Sequence, residues 1–226
     1  MSEQAALILT ASAALLLVAA RRTVAGQIEA GEGGAVIDPA GLFDGVETLW
    51  NQATERAANV DQDTASRNIA AGLEVIKRSE GTASRGDPYR VCYGYRHTIQ
   101  SMAAHPKHSG EWPGERLSDD MCRNAGFGPG CISTAAGAYQ IIAPTWARLA
   151  AKLGLSDFGP ASQDAAAVEL IRSRGGLEDL KAGRFEAFVS KCRQEWASLP
   201  GNSAKQGQHS IQTLAAWFGQ SGGEFA

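Results

Sequence analysis

Glu80 is the side chain in this sequence best placed to act as a general acid. It follows a helical pattern of apolar residues, Ile69, Leu73 and Ile76, and lies eleven positions after the first of them. At roughly 3.6 residues per turn, that separation leaves Glu80 about 20° from Ile69 around the helix axis, on the face that packs inward. Burial and the negative end of the helix dipole both disfavour the charged carboxylate. The pattern therefore predicts a carboxyl group with a raised pKa.

A carboxyl group that keeps its proton near neutral pH can donate it to a leaving oxygen, as cleavage of a glycosidic bond requires. The structural alternative is a buried glutamate that accepts hydrogen bonds from backbone amides, and periodicity does not separate the two. Hydrolysis of such a bond also needs a second carboxylate, either a nucleophile roughly 5 Å away or a more distant base for a water. The nearest downstream candidate is Asp87, in a turn before Pro88.

Several predicted elements position these groups. The polar stretch 59–66 interrupts the apolar pattern, so a helix is predicted from near Arg67 to Glu80. Residues 87–99, DPYRVCYGYRHTI, are rich in Tyr and Val, which predicts a short hairpin or small sheet. Residues 105–132 are rich in Gly, Pro and charged side chains, which predicts a loop.

The rest of the chain predicts helices, from Pro144 to Gly154, over 161–174 and 184–197, and near 209–218. Their apolar stripes are formed by Trp146, Leu149 and Leu153, by Phe185, Phe188, Cys192 and Trp196, and by Ile211, Leu214 and Phe218. A helix, a small β patch and then several helices predict a mostly helical α+β fold.

The N-terminal segment has a different character. Residues 4–20 carry no charge and would extend over roughly 25 Å as a helix, the lower limit for crossing a bilayer. They fit a membrane anchor or a helix that packs inside an assembly through its small residues. A cleaved signal peptide is disfavoured because the chain begins MSEQ, without basic residues. Residues 26–41 hold five glycines and one proline, which predicts a linker.

A short heptad stripe follows the linker and consists of Phe43, Val46, Trp50, Ala53, Ala57 and Val60. It predicts an amphipathic helix that packs either on its own domain or against a second copy or an assembly partner. The chain therefore divides into an apolar segment, 1–22, a linker with an amphipathic helix, 23–65, and a globular domain, 66–226.

Composition limits the class of partner and site. The formal net charge of −3 disfavours nucleic acid as a partner, because phosphate contacts need clustered Lys and Arg. The four cysteines, Cys92, Cys122, Cys131 and Cys192, contain no CxxC pair, so no metal site is expected. Cys122 and Cys131 flank a Gly- and Pro-rich loop and could form a disulfide clip, which would indicate an oxidising compartment. Four unpaired thiols are the alternative.

Six motifs occur in one order along the chain: SEGT at 79–82, HP at 105–106, STAAGAYQ at 133–140, LGLSDFGPASQDAAA at 153–167, RGGL at 174–177 and CRQEWASLPG at 192–201. Together they resemble the phage lambda endolysin and its relatives over about 120 residues. Members of that family are lytic transglycosylases with a lysozyme-like fold. The resemblance thus implies a lysozyme-like catalytic domain whose core spans roughly 66–201.

The resemblance also assigns roles to individual residues. Glu80, in SEGT, matches the family's catalytic acid/base. The residues expected to line the glycan cleft or to shape the turn beside it are Tyr139, Gln140, Ser133, Thr134 and Gly137, the glycine allowing close approach of the backbone to a sugar. The family usually has Arg where this chain has Ala138, so one substrate contact or ion pair is in question. No metal or organic cofactor is implied.

The expected activity is cleavage of peptidoglycan glycan strands with formation of 1,6-anhydro ends. The alternatives are a hydrolytic lysozyme that uses Glu80 and Asp87, and an inactive structural or glycan-binding virion protein. Residues 4–20 and 43–60 would contact a membrane or virion proteins. The expected location is the phage virion or the host periplasm and inner membrane.

Overall fold

A computed structural model of the protein describes residues 39–201 and 209–226, with side chains from residue 51 onward except at positions 53, 56–58 and 60. The apolar segment 4–20 and most of the predicted linker lie outside the described residues. In the described part of the chain, no helix is long and apolar enough to cross a membrane.

The described elements follow one another as α1 (Pro39–Ser79), a 3₁₀ turn (Pro88–Arg90), α2 (Pro106–Ser109), β1 (Glu115–Arg116), α3 (Asp119–Asn124), β2 (Ile132–Ser133), α4 (Ala143–Leu153), α5 (Pro160–Ser173), α6 (Leu177–Lys181), α7 (Phe185–Cys192) and α8 (Ile211–Gln220). This is a mostly helical α+β fold with one small sheet, as predicted. Residues Val60–Phe225 form a compact unit.

Helix α1 is longer than the sequence pattern predicts. It runs without a break for 41 residues, through the polar stretch 59–66 and into the last three positions of the expected linker. That stretch contains no Gly or Pro, and its polar residues each cost less than about 1 kcal/mol in a helix. Asp63 and Arg67, one turn apart, also form an ion pair. The change in the apolar pattern at 59–66 therefore alters the exposed face of α1 but does not end the helix.

The core is built by the helices that the apolar stripes predict. Most stripe residues are buried, namely Trp146, Leu149, Phe185, Phe188, Cys192, Trp196, Leu214 and Phe218. The ring of Trp146 meets that of Phe158 edge to face, with centroids 4.6 Å apart. The inward face of α1 joins this core through Leu73, Val75 and Ile76. The side chains of the Phe43–Val60 stripe lie outside the described part of the structure.

The sheet is not where the sequence predicts it. Residues 87–99 form the 3₁₀ turn and a bend in which Val91 and Thr98 make a single β-bridge. The two-stranded sheet instead pairs Glu115 with Ser133 and Arg116 with Ile132, at the end of the expected loop. Strands of two residues are too short to give an alternating pattern, which is why the loop prediction was wrong here.

Candidate active site

Glu80 lies immediately after the last residue of α1, at the predicted end of that helix. Its backbone N–H still bonds the carbonyl of Ile76 at 2.9 Å, so its carboxyl continues the buried face. Gly81 then takes a left-handed conformation with φ of 72°, which ends the helix. The buried Thr82 hydroxyl donates to the carbonyl of Ala138 at 2.7 Å and ties this turn to the 133–140 segment.

The Glu80 carboxyl has the ionisation behaviour of a general acid. Burial raises its pKa from 4.5 to about 7, against the opposing effect of a hydrogen bond from Ser198. In that bond the Ser198 hydroxyl lies 2.6 Å from Oε1 of Glu80. Both protonation states are therefore populated near neutral pH, as acid/base catalysis requires.

Ser198 also contacts Ser79, the last residue of α1, with 3.0 Å between the two hydroxyl oxygens. The Ser79 hydroxyl in turn donates to the carbonyl of Ile76 at 2.9 Å. Both serines are buried. Ser198 belongs to the segment CRQEWASLPG and Ser79 to SEGT. The two serines are 119 positions apart in the chain, and the sequence pattern does not predict that their hydroxyl groups are in contact.

Two tyrosines of the bend after the 3₁₀ turn complete the surroundings of Glu80. The hydroxyl of Tyr95 donates to the backbone carbonyl of Glu80 at 2.8 Å. Tyr95 holds a left-handed conformation, with φ of 59°, which costs free energy in a non-glycine residue. The Arg85 guanidinium stacks 4.1 Å above its ring. The pKa of Tyr93 is raised by burial and then by the nearby charges of Tyr95, Glu80 and Glu115.

Asp87, the candidate second carboxylate, caps the 3₁₀ turn. One of its oxygens accepts the backbone N–H of Tyr89 at 3.0 Å, and the other lies 3.4 Å from Nε of Arg90. Its side chain is half exposed. A carboxylate that sequence analysis overlooked, Glu115, stands on β1 and pairs with Arg96 at 3.5 Å.

Tyr139 and Gly137 contact side chains of the protein, whereas the family resemblance leads us to expect contact with a sugar. Tyr139 is 1% exposed, and its hydroxyl donates to the Asp164 carboxylate at 2.5 Å. Gly137 has φ of 76°, and the space that a Cβ would fill holds the Gln163 amide. That amide accepts the N–H of Ala138 at 2.9 Å. The close approach that this glycine allows is therefore to a core side chain.

The other residues carried over from the family bind the protein's own backbone. The hydroxyl of Thr134 accepts the N–H of Ala143 at 3.0 Å, and that of Ser133 accepts the N–H of Ala135 at 3.3 Å. The Gln140 amide donates to the carbonyl of Gly137 at 3.0 Å. These contacts brace the turn at 133–140, which the Thr82 hydroxyl ties to the end of α1.

The sulfurs of Cys122 and Cys131 are bonded to each other, with Cα atoms 5.7 Å apart. This disulfide closes a loop within the segment that connects β1 to β2. Cys92 and Cys192 are free and buried, and burial raises the pKa of each thiol to about 12. Within the described residues, no group of three His, Cys, Asp or Glu side chains could hold a metal ion.

Comparison with known proteins agrees with this geometry. A profile of the family described as Endolysin matches residues 70–225. The endolysin of Escherichia phage P2 is 36% identical over 157 residues, which are 70% of this chain and 94% of that protein. The endolysin of Escherichia phage lambda is 38% identical over 106 residues, 47% of this chain and 67% of that protein.

Solved structures show the same likeness. A structure of bacteriophage lambda lysozyme complexed with a chitohexasaccharide has a TM-score of 0.60 and 30% identity, covering 71% of this chain and 97% of that one. A second structure of lysozyme from bacteriophage lambda gives a TM-score of 0.57 with the same coverage. The fold and the acid glutamate at the helix end define a lysozyme-like protein. The chain belongs to the endolysin family, phage enzymes that degrade peptidoglycan.

Proposed function

We propose that this endolysin is a lytic transglycosylase that cleaves the bond between N-acetylmuramic acid and N-acetylglucosamine. Glu80 protonates the bridging oxygen as that bond breaks. The 6-hydroxyl of the same muramic acid then bonds to the anomeric carbon, and the Glu80 carboxylate takes its proton. The products are a free 4-hydroxyl on one glycan and a 1,6-anhydro end on the other, and Glu80 regains its proton.

The causes of the raised pKa of Glu80 favour a single catalytic carboxylate over the close pair of a retaining hydrolase. A second carboxylate roughly 5 Å away, as a retaining hydrolase needs, would raise the pKa of Glu80 further by charge repulsion. Burial and the Ser198 hydroxyl are the causes that act on Glu80, and no carboxylate of the described residues is among them. Transglycosylation needs only the one group.

A cavity lined by Tyr95, whose hydroxyl bonds the backbone carbonyl of Glu80, supports glycan binding in this part of the molecule. It has a volume of about 220 Å³ and is lined by Arg85, Asp87, Arg90, Tyr95 and His97 among others. Guanidinium, hydroxyl and carboxylate groups suit the hydroxyl and amide groups of amino sugars. The chitohexasaccharide complex of lambda lysozyme also supports a glycan as the partner. The segment Ser133–Gln140 would support this cleft through its backbone contacts.

The central test is Glu80→Gln, which keeps the shape of the side chain but cannot donate a proton. We expect the rate of peptidoglycan clearing in a turbidity assay to fall about 10² to 10⁴-fold with the fold intact. Glu186→Gln, on the exposed side of α7, is the matched control and should keep full activity. Retained activity in the Glu80 variant would contradict the assignment.

A hydrolytic lysozyme is the second candidate, favoured by one observation. The charges of Glu80 and Glu115 both raise the pKa of Tyr93, so that ring lies within electrostatic range of two carboxylates. In this alternative Glu115 or Asp87 would act on a water molecule. The products then carry reducing ends in place of anhydro ends.

For location we propose the host cell wall as the site of action, reached either from the virion or from the periplasm and inner membrane. Residues 4–20 and the 43–60 stripe would hold the catalytic domain to a membrane or to virion proteins. An inactive structural or glycan-binding role would be supported only if no cleavage is found.

A further inference from the structure

Three hydroxyl and carbonyl contacts run in series from the catalytic carboxyl into the end of α1. They link Glu80 to Ser198 at 2.6 Å, Ser198 to Ser79 at 3.0 Å, and Ser79 to the carbonyl of Ile76 at 2.9 Å. Each serine has one hydroxyl hydrogen to donate. All three contacts can be hydrogen bonds at once only when the first hydrogen comes from Glu80.

The direction of donation along this series of hydrogen bonds therefore depends on whether the Glu80 carboxyl is protonated. Protonated Glu80 donates to Ser198, which donates to Ser79, which donates to the Ile76 carbonyl. Ionised Glu80 instead accepts the Ser198 hydrogen, and Ser79 then donates either to Ser198 or to Ile76, so one of the three bonds is lost. The Ile76 carbonyl keeps its helical bond from the Glu80 N–H in both cases.

We propose that Ser198, together with Ser79, is a positioning residue that holds the Glu80 carboxyl in place in both of its protonation states by reversing its hydroxyl hydrogens. The inference rests on the proposed function, in which Glu80 acts first as an acid and then as a base. Because both serines are buried, few water molecules can substitute for them. The pair serves a hydrolase and a transglycosylase equally.

Neither of the two tyrosines that face Glu80 titrates near neutral pH. Tyr93 and Tyr95 face it from the bend after the 3₁₀ turn, and burial raises the pKa of both further above neutrality. The charge of Glu115 on β1 raises the pKa of Tyr93, and the Arg85 guanidinium stacks on the ring of Tyr95. A change of the titration midpoint in a serine variant is thus assignable to the carboxyl itself.

The two serines are expected to move that midpoint in opposite directions. Ser198→Ala removes the donor of a charge-assisted bond to the carboxylate, an effect partly offset by the neutral bonds that the protonated state loses, so the midpoint of Glu80 should rise by up to about one pH unit. Ser79→Ala removes the acceptor used only when Glu80 is protonated, so the midpoint should fall by about half a pH unit. A role limited to packing would lower stability without this difference of sign.

The measurement is an NMR titration of the full chain carrying carbon-labelled glutamate, with the Glu80 resonance assigned from its absence in Glu80→Gln. Ser84→Ala is the matched control, because that exposed serine bonds only the carbonyl of Gly81. Opposite shifts in the Ser198 and Ser79 variants, with none in the control, support the proposal. Shifts of the same sign, or none, overturn it.

This outcome is separable from that of the proposed function. If Glu80→Gln stays active, the catalytic assignment fails whatever the titrations show. If Glu80→Gln is inactive and the serine variants titrate like the native protein, only the role of the serine pair fails. The pH dependence of kcat/KM should follow the titration midpoint in each active variant, which a merely structural role would not produce.

Discussion

A carboxyl group that faces the core at the C-terminal end of a helix destabilises a fold whenever it is ionised. Glu80 has this position, and its surroundings contain one hydroxyl donor, Ser198, but no described cation that bonds it. The raised pKa that makes it a useful acid at neutral pH is the same quantity that opposes folding at high pH.

The first prediction concerns this cost. Because the fold raises the pKa of Glu80 to about 7, the protonated carboxyl contributes fully to stability at pH values below its pKa in the unfolded chain. That contribution is lost as pH rises through about 7. Glu80→Gln should therefore match the native chain at about pH 4 and exceed its free energy of unfolding at about pH 8.5, by at most about 3 kcal/mol. Denaturant titrations at both pH values measure this, and a variant less stable at the higher pH would refute it.

The second prediction concerns Asp87 and Glu115, the two candidates for a second catalytic carboxylate. Asp87→Asn should leave most activity, since Asp87 caps the 3₁₀ turn and pairs with Arg90. Glu115→Gln should do the same, because transglycosylation has no step for a second carboxylate. Turnover of purified peptidoglycan measures both. A loss comparable to that in Glu80→Gln, in either folded variant, would favour hydrolysis.

At the scale of elements, patterns of about ten residues predict the structure and shorter ones do not. The stripe ending at Glu80 and that of α4 give both the helices and their buried faces. The helix predicted over 184–197 ends earlier, at Cys192, although Trp196 beyond its end is buried. The sheet of Glu115–Arg116 with Ile132–Ser133 rests on single pairings between distant residues, which no periodicity reports. For the same reason Glu80 was predictable and its partner Ser198 was not.

The Ser133–Gln140 segment shows that a family motif alone does not separate residues that support the fold from residues that contact substrate. Within this segment Tyr139 is buried against Asp164 and Gly137 against Gln163. A motif preserves what holds the catalytic turn in place as well as what touches substrate, and the letters alone do not distinguish the two.

The third prediction concerns the segment that connects β1 to β2. A disulfide between Cys122 and Cys131 closes a short loop, for which chain entropy gives about 2–3 kcal/mol. Mass spectrometry of the non-reduced protein should find one peptide pair linked through these residues. Cys92 and Cys192 should resist alkylation until the protein unfolds, because both are buried. Free thiols at 122 and 131 would count against the clip.

At the scale of the whole chain, the region matched by the family begins at residue 70, within α1, and the compact unit begins at Val60. We therefore propose that the N-terminal part is an addition to the endolysin domain and that it determines where the enzyme is held.

The fourth prediction follows from that division. Chains lacking residues 1–59 or 1–65 should stay folded and cleave peptidoglycan, since residues 60–65 add local contacts within α1: the exposed Asp63–Arg67 ion pair and the hydrogen bonds of Arg67 to Thr64 and of Ser66 to Gln62. Both should lose any association with membranes or phage particles that the full chain shows in sedimentation. Aggregation or inactivity would instead mean that the Phe43–Val60 stripe belongs to the catalytic domain.

The chemistry itself is tested most directly by the ends of the glycans that the enzyme releases. Purified peptidoglycan digested by the full-length protein in water labelled with heavy oxygen, and analysed by mass spectrometry, should yield 1,6-anhydro-muramic acid ends that carry no label. The Glu80→Gln protein should yield none. Labelled reducing ends from the native protein would contradict transglycosylation and establish hydrolysis, and intact glycan would contradict an enzymatic role altogether.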